Sequence, residues 1–412
     1  VGQELPVSKI DRRDFLRLSG GAVAASAFIG TASADPSADW PQPRANAART
    51  ASTAASGPKD TVQTRWSVTG DSNGVVVGDC IYIGDSGIIR AIRLADGSER
   101  WRVQTAGSRV SLSAGDETIY AAVGGNNWSS LLALSVADGT ERWRNEQFQS
   151  IFVPTVGDDL YSIVEESDAN DEETSSSLVA LSAADGTVQW TQPLDMEEPT
   201  APAVANDTIY IAGSEVVAID TDGEEMWRNP AGGGTPAVAN DTVYVTFSPG
   251  VRALSASDGF EQWEYVATVD DRPAEYAFPS APAIVDETIY FGLTDYARED
   301  ATAMYALSAT TGSEQWTTLF ERDIVVGAPA VADGVLYSHV AGFADFPSER
   351  GTVEAGRAIA LDADDGTLRW EVDDAEDTLF SDPIVTDGLV LVEKHSILAD
   401  ESVILALEEA DS

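Results

Sequence analysis

Ala180-Leu181-Ser182-Ala183-Ala184-Asp185-Gly186-Thr187-Val188-Gln189-Trp190 is one copy of a pattern that recurs along the chain. An alanine opens it, a glycine follows near its middle, and a tryptophan closes it. The same pattern reads Ala91–Trp101, Ala133–Trp143, Ala253–Trp263, Ala306–Trp316 and Ala360–Trp370, with a copy one residue shorter at Ala218–Trp227. Successive motif tryptophans, from Trp66 to Trp370, lie 35 to 54 residues apart. Periods of this size signal a repeat array, and each is long enough for four short strands. A last copy starts at Ala406-Leu407 and stops with the chain, whereas Trp66, in Thr64-Arg65-Trp66-Ser67-Val68, has no motif before it. An open solenoid needs distinct polar caps at both ends. Here the first strand supplies what the last repeat lacks, so the ends are expected to pair and close an all-β, eight-bladed β-propeller of four-stranded antiparallel blades. Closure also removes the strand edges that would template aggregation.

Within a repeat the strands are legible from alternation and turn residues. In the fourth, Ala201-Pro202-Ala203-Val204 reads as the innermost strand and Asn206-Asp207 as a tight turn. Thr208 to Ala212, Val216 to Ile219 and a strand ending at Trp227 follow. Similar inner strands begin at Thr235-Pro236, Ala281-Pro282, Ala328-Pro329 and Asp382-Pro383. Proline lacks an N–H and is tolerated on an edge, and the strand lining the channel is one. The tryptophans read as docking groups between blades, because each recurs with the same alanine and glycine partners. The single cysteine, Cys80, is placed at the start of an inner strand as a small buried hydrophobe.

The 412 residues carry a formal net charge of −45, with lysine only at positions 9, 59 and 394. At about 1 M salt the Debye length falls to roughly 3 Å, so such a surface suits a protein working in molar salt. A haloarchaeal source is expected on this ground. The missing basic footprint argues against nucleic acid. Residues 1–34 read as a twin-arginine signal peptide: Asp11-Arg12-Arg13-Asp14-Phe15-Leu16-Arg17, an apolar stretch from Leu18 to Thr31, and an Ala32-Ser33-Ala34 cleavage site. Residues 35–62 form a leader and 63–412 the propeller. The expected product is an exported monomer, extracellular or at the cell surface, with no membrane span after cleavage.

The motif copies resemble the tryptophan-docking motif of the pyrroloquinoline-quinone (PQQ) repeat propellers. That family includes eight-bladed quinoprotein alcohol dehydrogenases and the non-catalytic assembly lipoprotein BamB. The resemblance spans about residues 64–407. Trp40-Pro41-Gln42-Pro43-Arg44, with Ala48-Arg49-Thr50 and Gly57-Pro58, is similar to the leader of exported members, and Trp40 is expected on one face of the ring. Membership of the catalytic branch would imply PQQ in the channel, Ca²⁺ beside it and a carboxylate base. It would also imply an adjacent Cys-Cys disulfide, which a chain with Cys80 alone does not form, and a longer chain with large insertions. The expected function is therefore a non-catalytic binding or assembly scaffold for protein partners at the cell surface. A PQQ-dependent dehydrogenase acting on an alcohol or sugar, and a glycan- or small-ligand-binding propeller, stand as alternatives.

Chain topology sorts the connections. Short turns share one face, whereas Gly124–Ser130, Glu165–Ser177, Tyr265–Phe278, Thr294–Thr302 and Ala341–Gly356 share the other. Variable loops on a rigid scaffold are where binding is usually carried. Their aromatics Trp128, Tyr265, Tyr276, Phe278, Tyr296, Phe343 and Phe346 mark the expected partner face. Where most repeats place a small residue late in the second strand, the last two place His339 and Glu393, with His395 beyond. A His/carboxylate pair there is a candidate proton-transfer or cofactor-binding site, against the alternative of one hydrogen bond at the channel rim. The acidic run around Asp168, Asn170 and Glu172 is a Ca²⁺ candidate, against the alternative of a solvated loop, since it lacks the ligand spacing and central glycine of an EF-hand.

Overall fold

The computed structural model describes residues 39–410, apart from 71–73, 126–127, 168–173, 270–271, 274–276, 296–301, 321–324, 342–355, 374–377, 397–398 and 400. The described chain folds into eight antiparallel blades, the inner strand of blade 7 also pairing in parallel with Ser52–Thr53 of the leader, plus a two-stranded hairpin, Thr268–Val269 with Arg272–Pro273, between blades 5 and 6. Blade 1 shows the plan: Val75–Val77, Cys80–Asp85, Ile88–Arg93 and Glu99–Gln104 pair in that order from channel to rim. Cys80 thus opens a second strand rather than an inner one, because the Gly78-Asp79 turn precedes it; it is fully buried, as expected.

The ring closes as its two ends require. Val62–Thr69 becomes the outer strand of blade 8, antiparallel to Glu401–Glu409, with Trp66 opposite Ala406. Tryptophan sits opposite the motif alanine in the other blades too, for example Trp190 against Ala180 and Trp370 against Ala360.

Each indole then reaches across to the next blade. Nε1 of Trp101, Trp143, Trp227, Trp263 and Trp316 donates to the carbonyls of Val136, Ala183, Ala256, Ala309 and Ala363 at 2.8–3.0 Å. Trp190 donates to Thr221 at 2.9 Å, and Trp66 in blade 8 to Leu94 in blade 1 at 2.7 Å. The motif glycine is obligatory because the ring lies on it. Gly259 has φ +71, and a Cβ there would stand 2.4 Å from Trp227. Blade 8 has no such motif, and the leader replaces it: Trp370 donates to the Pro58 carbonyl at 2.9 Å.

A second ring of aromatics supports the first. Tyr82, Tyr120, Tyr161, Tyr210, Tyr244, Tyr290 and Tyr337, in the second strands, each pack on their own blade's tryptophan, centroids 5.6–6.2 Å apart. Most also donate a hydroxyl to the carbonyl that the tryptophan uses, as Tyr244 does to Ala309 at 3.2 Å. Blade 8 puts Leu391 at this position, opposite Ala406.

Prolines directly precede the short inner strands Ala203–Ala205, Ala237–Ala239, Ala283–Val285, Ala330–Ala332 and Ile384–Thr386. In blades 3, 6, 7 and 8 the inner strand is split in two, as in Val325–Val326 and Ala330–Ala332 of blade 7. The residues at each break end in an X-Pro step, which removes a ladder donor, and at blade 6 the Ala281 and Pro282 carbonyls are left to accept from the leader.

Candidate functional site in the channel

The leader seals one end of the channel. It contacts the blades in order as it runs forward. Trp40 exchanges two backbone hydrogen bonds with Val76 of blade 1, and the Pro41 carbonyl accepts from Ala114 of blade 2. The Gln42 side chain brackets Val156 of blade 3 at 2.8 and 2.9 Å. Carbonyls of Ala47, Ala48, Thr50, Ala51 and Ser56 accept from Val204, Val238, Ile284, Val331 and Gly388 of blades 4 to 8. These contacts lie beside the short first-to-second-strand turns, so the plug occupies the short-turn face. Trp40 packs there as expected, 3% exposed.

Above the plug lies a cavity of about 540 Å³. Trp40, Pro43, Arg44 and Arg49 of the leader form its floor. Its walls come from Gly74, Ser111, Leu112, Val153, His339 and the run Ser381-Asp382-Pro383-Ile384. Several of these, Val153 and the blade 8 run, sit at the inner-strand breaks.

His339 reaches the cavity from the second strand of blade 7 because Gly327 has no side chain; a Cβ there would lie 2.1 Å from the imidazole. Its Nδ1 is buried without a hydrogen-bond partner, 3.6 Å from Asp382 Oδ1. Burial pushes the imidazole below its ordinary pKa, opposed by the Asp382 charge and a backbone hydrogen bond at Ser381. It is therefore neutral near pH 7. Asp382 in turn accepts the Ala328 N–H at 2.8 Å, tying blade 8 to blade 7. The carboxylate beside His339 is thus Asp382. Glu393 stands on the second strand of blade 8, its N–H donating to Ser381 Oγ at 3.0 Å. His395 is paired through Nδ1 with Ser402 Oγ at 3.0 Å.

The two arginines carry the positive charge. Arg44 donates one Nη to the freed carbonyls of Ala281 and Pro282, at 3.2 and 2.7 Å. Desolvation pushes its pKa down to about 10, opposed by Asp382. Arg49 is also pushed down to about 10, by desolvation and then by the charge of Arg44. The Nε of each is buried and unpartnered.

On the opposite face, Trp128 and Phe278 are 40% and 57% exposed; Phe152, 44% exposed at the inner-strand break of blade 3, was passed over by sequence reasoning. Tyr265 belongs to the outer strand Glu261–Val266, where its hydroxyl donates to Glu314 at 2.6 Å and its ring packs on Phe291 and Tyr305. It is a packing residue rather than a loop aromatic. Tyr276, Tyr296, Phe343, Phe346 and the acidic candidates Asp168, Asn170 and Glu172 lie outside the described residues.

The family model described as outer membrane protein assembly factor BamB matches residues 49–192, 174–318 and 299–412, most of the ring. The chain belongs to that family. No curated protein sequence is significantly similar to it. Among solved structures, BamB from Moraxella catarrhalis superposes with a TM-score of 0.59 at 14% identity, over 84% of this chain and 100% of that one. Quinohemoprotein alcohol dehydrogenase from Comamonas testosteroni gives 0.62 at 12%, over 92% and 82%. A europium-containing methanol dehydrogenase gives 0.63 at 11%, over 90% and 98%. At these identities the likeness establishes the propeller fold.

Proposed function

We propose that this BamB-family propeller is an exported, salt-adapted scaffold that binds protein partners at the cell surface and catalyses no reaction itself. The carrying observation is the inequality of the two faces. One is closed by short turns and the leader; the other receives the long connections and the exposed aromatics Trp128 and Phe278. Aromatic anchors on a rigid frame are the usual carriers of interface energy.

The dehydrogenase reading needs a quinone with its metal, and the channel chemistry tests it. Arg44 and Arg49 suit the carboxylates of PQQ. The metal half does not fit: Ca²⁺ takes six to eight oxygens, often several carboxylates. Among the described lining residues only Asp382 is a carboxylate, and it is engaged by the Ala328 N–H. No group of three His, Cys, Asp or Glu side chains among the described residues could hold a metal. The donor set therefore favours the scaffold.

The test is site-specific photocrosslinking on cells grown in molar salt. A crosslinker at Trp128 or Phe278 should give discrete protein adducts, and one at Phe260, 74% exposed on the short-turn face, should give none. Equal labelling from both faces, or none from either, would remove the proposal.

A further inference from the structure

We propose that the channel cavity is a binding site for one small organic carboxylate, gripped by Arg44 and Arg49 of the leader. The site is separate from the outer loops, so it stands or falls independently of the scaffold reading.

Arg100, Arg102, Arg144, Arg228, Arg252 and Arg369 all sit in ion pairs with neighbouring carboxylates. The Arg49 backbone N–H donates to the Asn46 carbonyl, but its guanidinium makes no hydrogen bond or ion pair among the described residues, although the chain has 69 Asp and Glu. Arg44 satisfies one nitrogen on two carbonyls and leaves Nε buried and bare. Two guanidiniums side by side in a desolvated floor repel one another, and an unpaired buried charge is costly. The backbone is strained to place them: φ is +67 at Arg44 and +60 at Arg49, a region that non-glycine residues rarely occupy. Such strain persists where the surroundings over-determine it, as at ligand clamps.

The cavity identifies the class of anion. Planar guanidiniums recognise carboxylate in a bidentate fork. A volume of about 540 Å³ falls in the range of sites for small organic ligands, well beyond a bare inorganic ion. Trp40, Leu112, Val153 and Ile384 offer an apolar wall for the rest of the molecule. Asp382 lines the same cavity and would repel the second charge of a phosphate, whereas a carboxylate presents one charge to the arginines. The neutral His339, with a free Nδ1, provides a polar contact away from them.

The experiment is titration calorimetry on the purified full chain in molar KCl. The probes are the monocarboxylates acetate, benzoate and pyruvate, with benzamide and inorganic phosphate as controls. At least one carboxylate should bind saturably at one site per chain, and benzamide should not. Arg49→Gln should weaken that binding by at least about tenfold, the value of one charged hydrogen bond, with Arg49→Lys intermediate. If no carboxylate binds more tightly than about 1 mM, the proposal is overturned. Preference for phosphate over every carboxylate, or unchanged binding in Arg49→Gln, overturns it equally. A second readout guards against a purely structural arginine. Without added carboxylate, Arg49→Gln should melt at the wild-type temperature or above, because it removes an unpaired charge; a clearly lower melting temperature would defeat the assignment.

Discussion

Replacing Trp66 by alanine should open the ring at its seam. Trp66 is 8% exposed, donates to Leu94 at 2.7 Å, and lies over Gly97, whose Cβ position is 3.0 Å from the indole. A tryptophan of this kind removes about 150–250 Å² from water, worth roughly 4–6 kcal/mol as an upper bound. Burial in the denatured chain and relaxation around the cavity reduce this to about 3–5 kcal/mol for Trp→Ala. Trp66→Phe keeps much of the apolar contact and loses the hydrogen bond, so about 1 kcal/mol more is lost than for packing alone. The two values should separate in urea unfolding at constant KCl, followed by tryptophan fluorescence and circular dichroism. Because closure joins residues distant in sequence, the alanine variant should also lose protection in Glu401–Glu409, measurable by amide hydrogen exchange. A Trp66→Ala change within about 0.5 kcal/mol of wild type would place Trp66 among ordinary surface residues and refute the docking argument.

Three further outcomes follow from the same physics. Gly259→Ala should destabilise by more than about 1 kcal/mol, since φ is +71 and the new methyl would meet Trp227 at 2.4 Å; an unchanged urea midpoint would contradict this. Lowering the salt from molar to about 0.1 M lengthens the Debye length to about 10 Å and should lower the melting temperature, given a net charge of −45. A melting temperature insensitive to salt would show that self-repulsion is not limiting. His339 has its folded-state pKa below the ordinary value of about 6.5, so the unfolded chain binds the extra proton first. Stability should therefore be level above that pH and fall as the pH drops below it toward the folded pKa. His339→Gln should flatten that part of the calorimetric pH profile, and an unaltered slope would exonerate His339.

The sequence revealed the ring more completely than the site, for a physical reason. Docking tryptophans recur because every blade solves the same packing problem, so repetition exposes Trp101 to Trp370, and the broken copy at Ala406 exposes the closure with Trp66. The second-strand tyrosines recur too, each following an apolar residue just after a short turn, as in Thr208-Ile209-Tyr210 and Thr242-Val243-Tyr244, and that local pattern would have found them. The channel site does not repeat. Arg44 and Arg49 come from a leader that no periodicity describes, and Asp382 is hidden in an Asp-Pro step that also reads as a strand start. His339 stood out only because its neighbours in the other blades are small. Its partner became visible once the split inner strands of blades 7 and 8 placed Asp382 beside it.

Titration of the purified chain with PQQ in molar KCl, with and without Ca²⁺, separates a binding scaffold from a quinoprotein. A scaffold with no oxygen cage in its channel should show the same PQQ response with and without the metal, and no dye-linked oxidation of alcohols. Saturable binding that requires Ca²⁺, accompanied by alcohol-dependent dye reduction, would contradict the account and return the protein to the dehydrogenases.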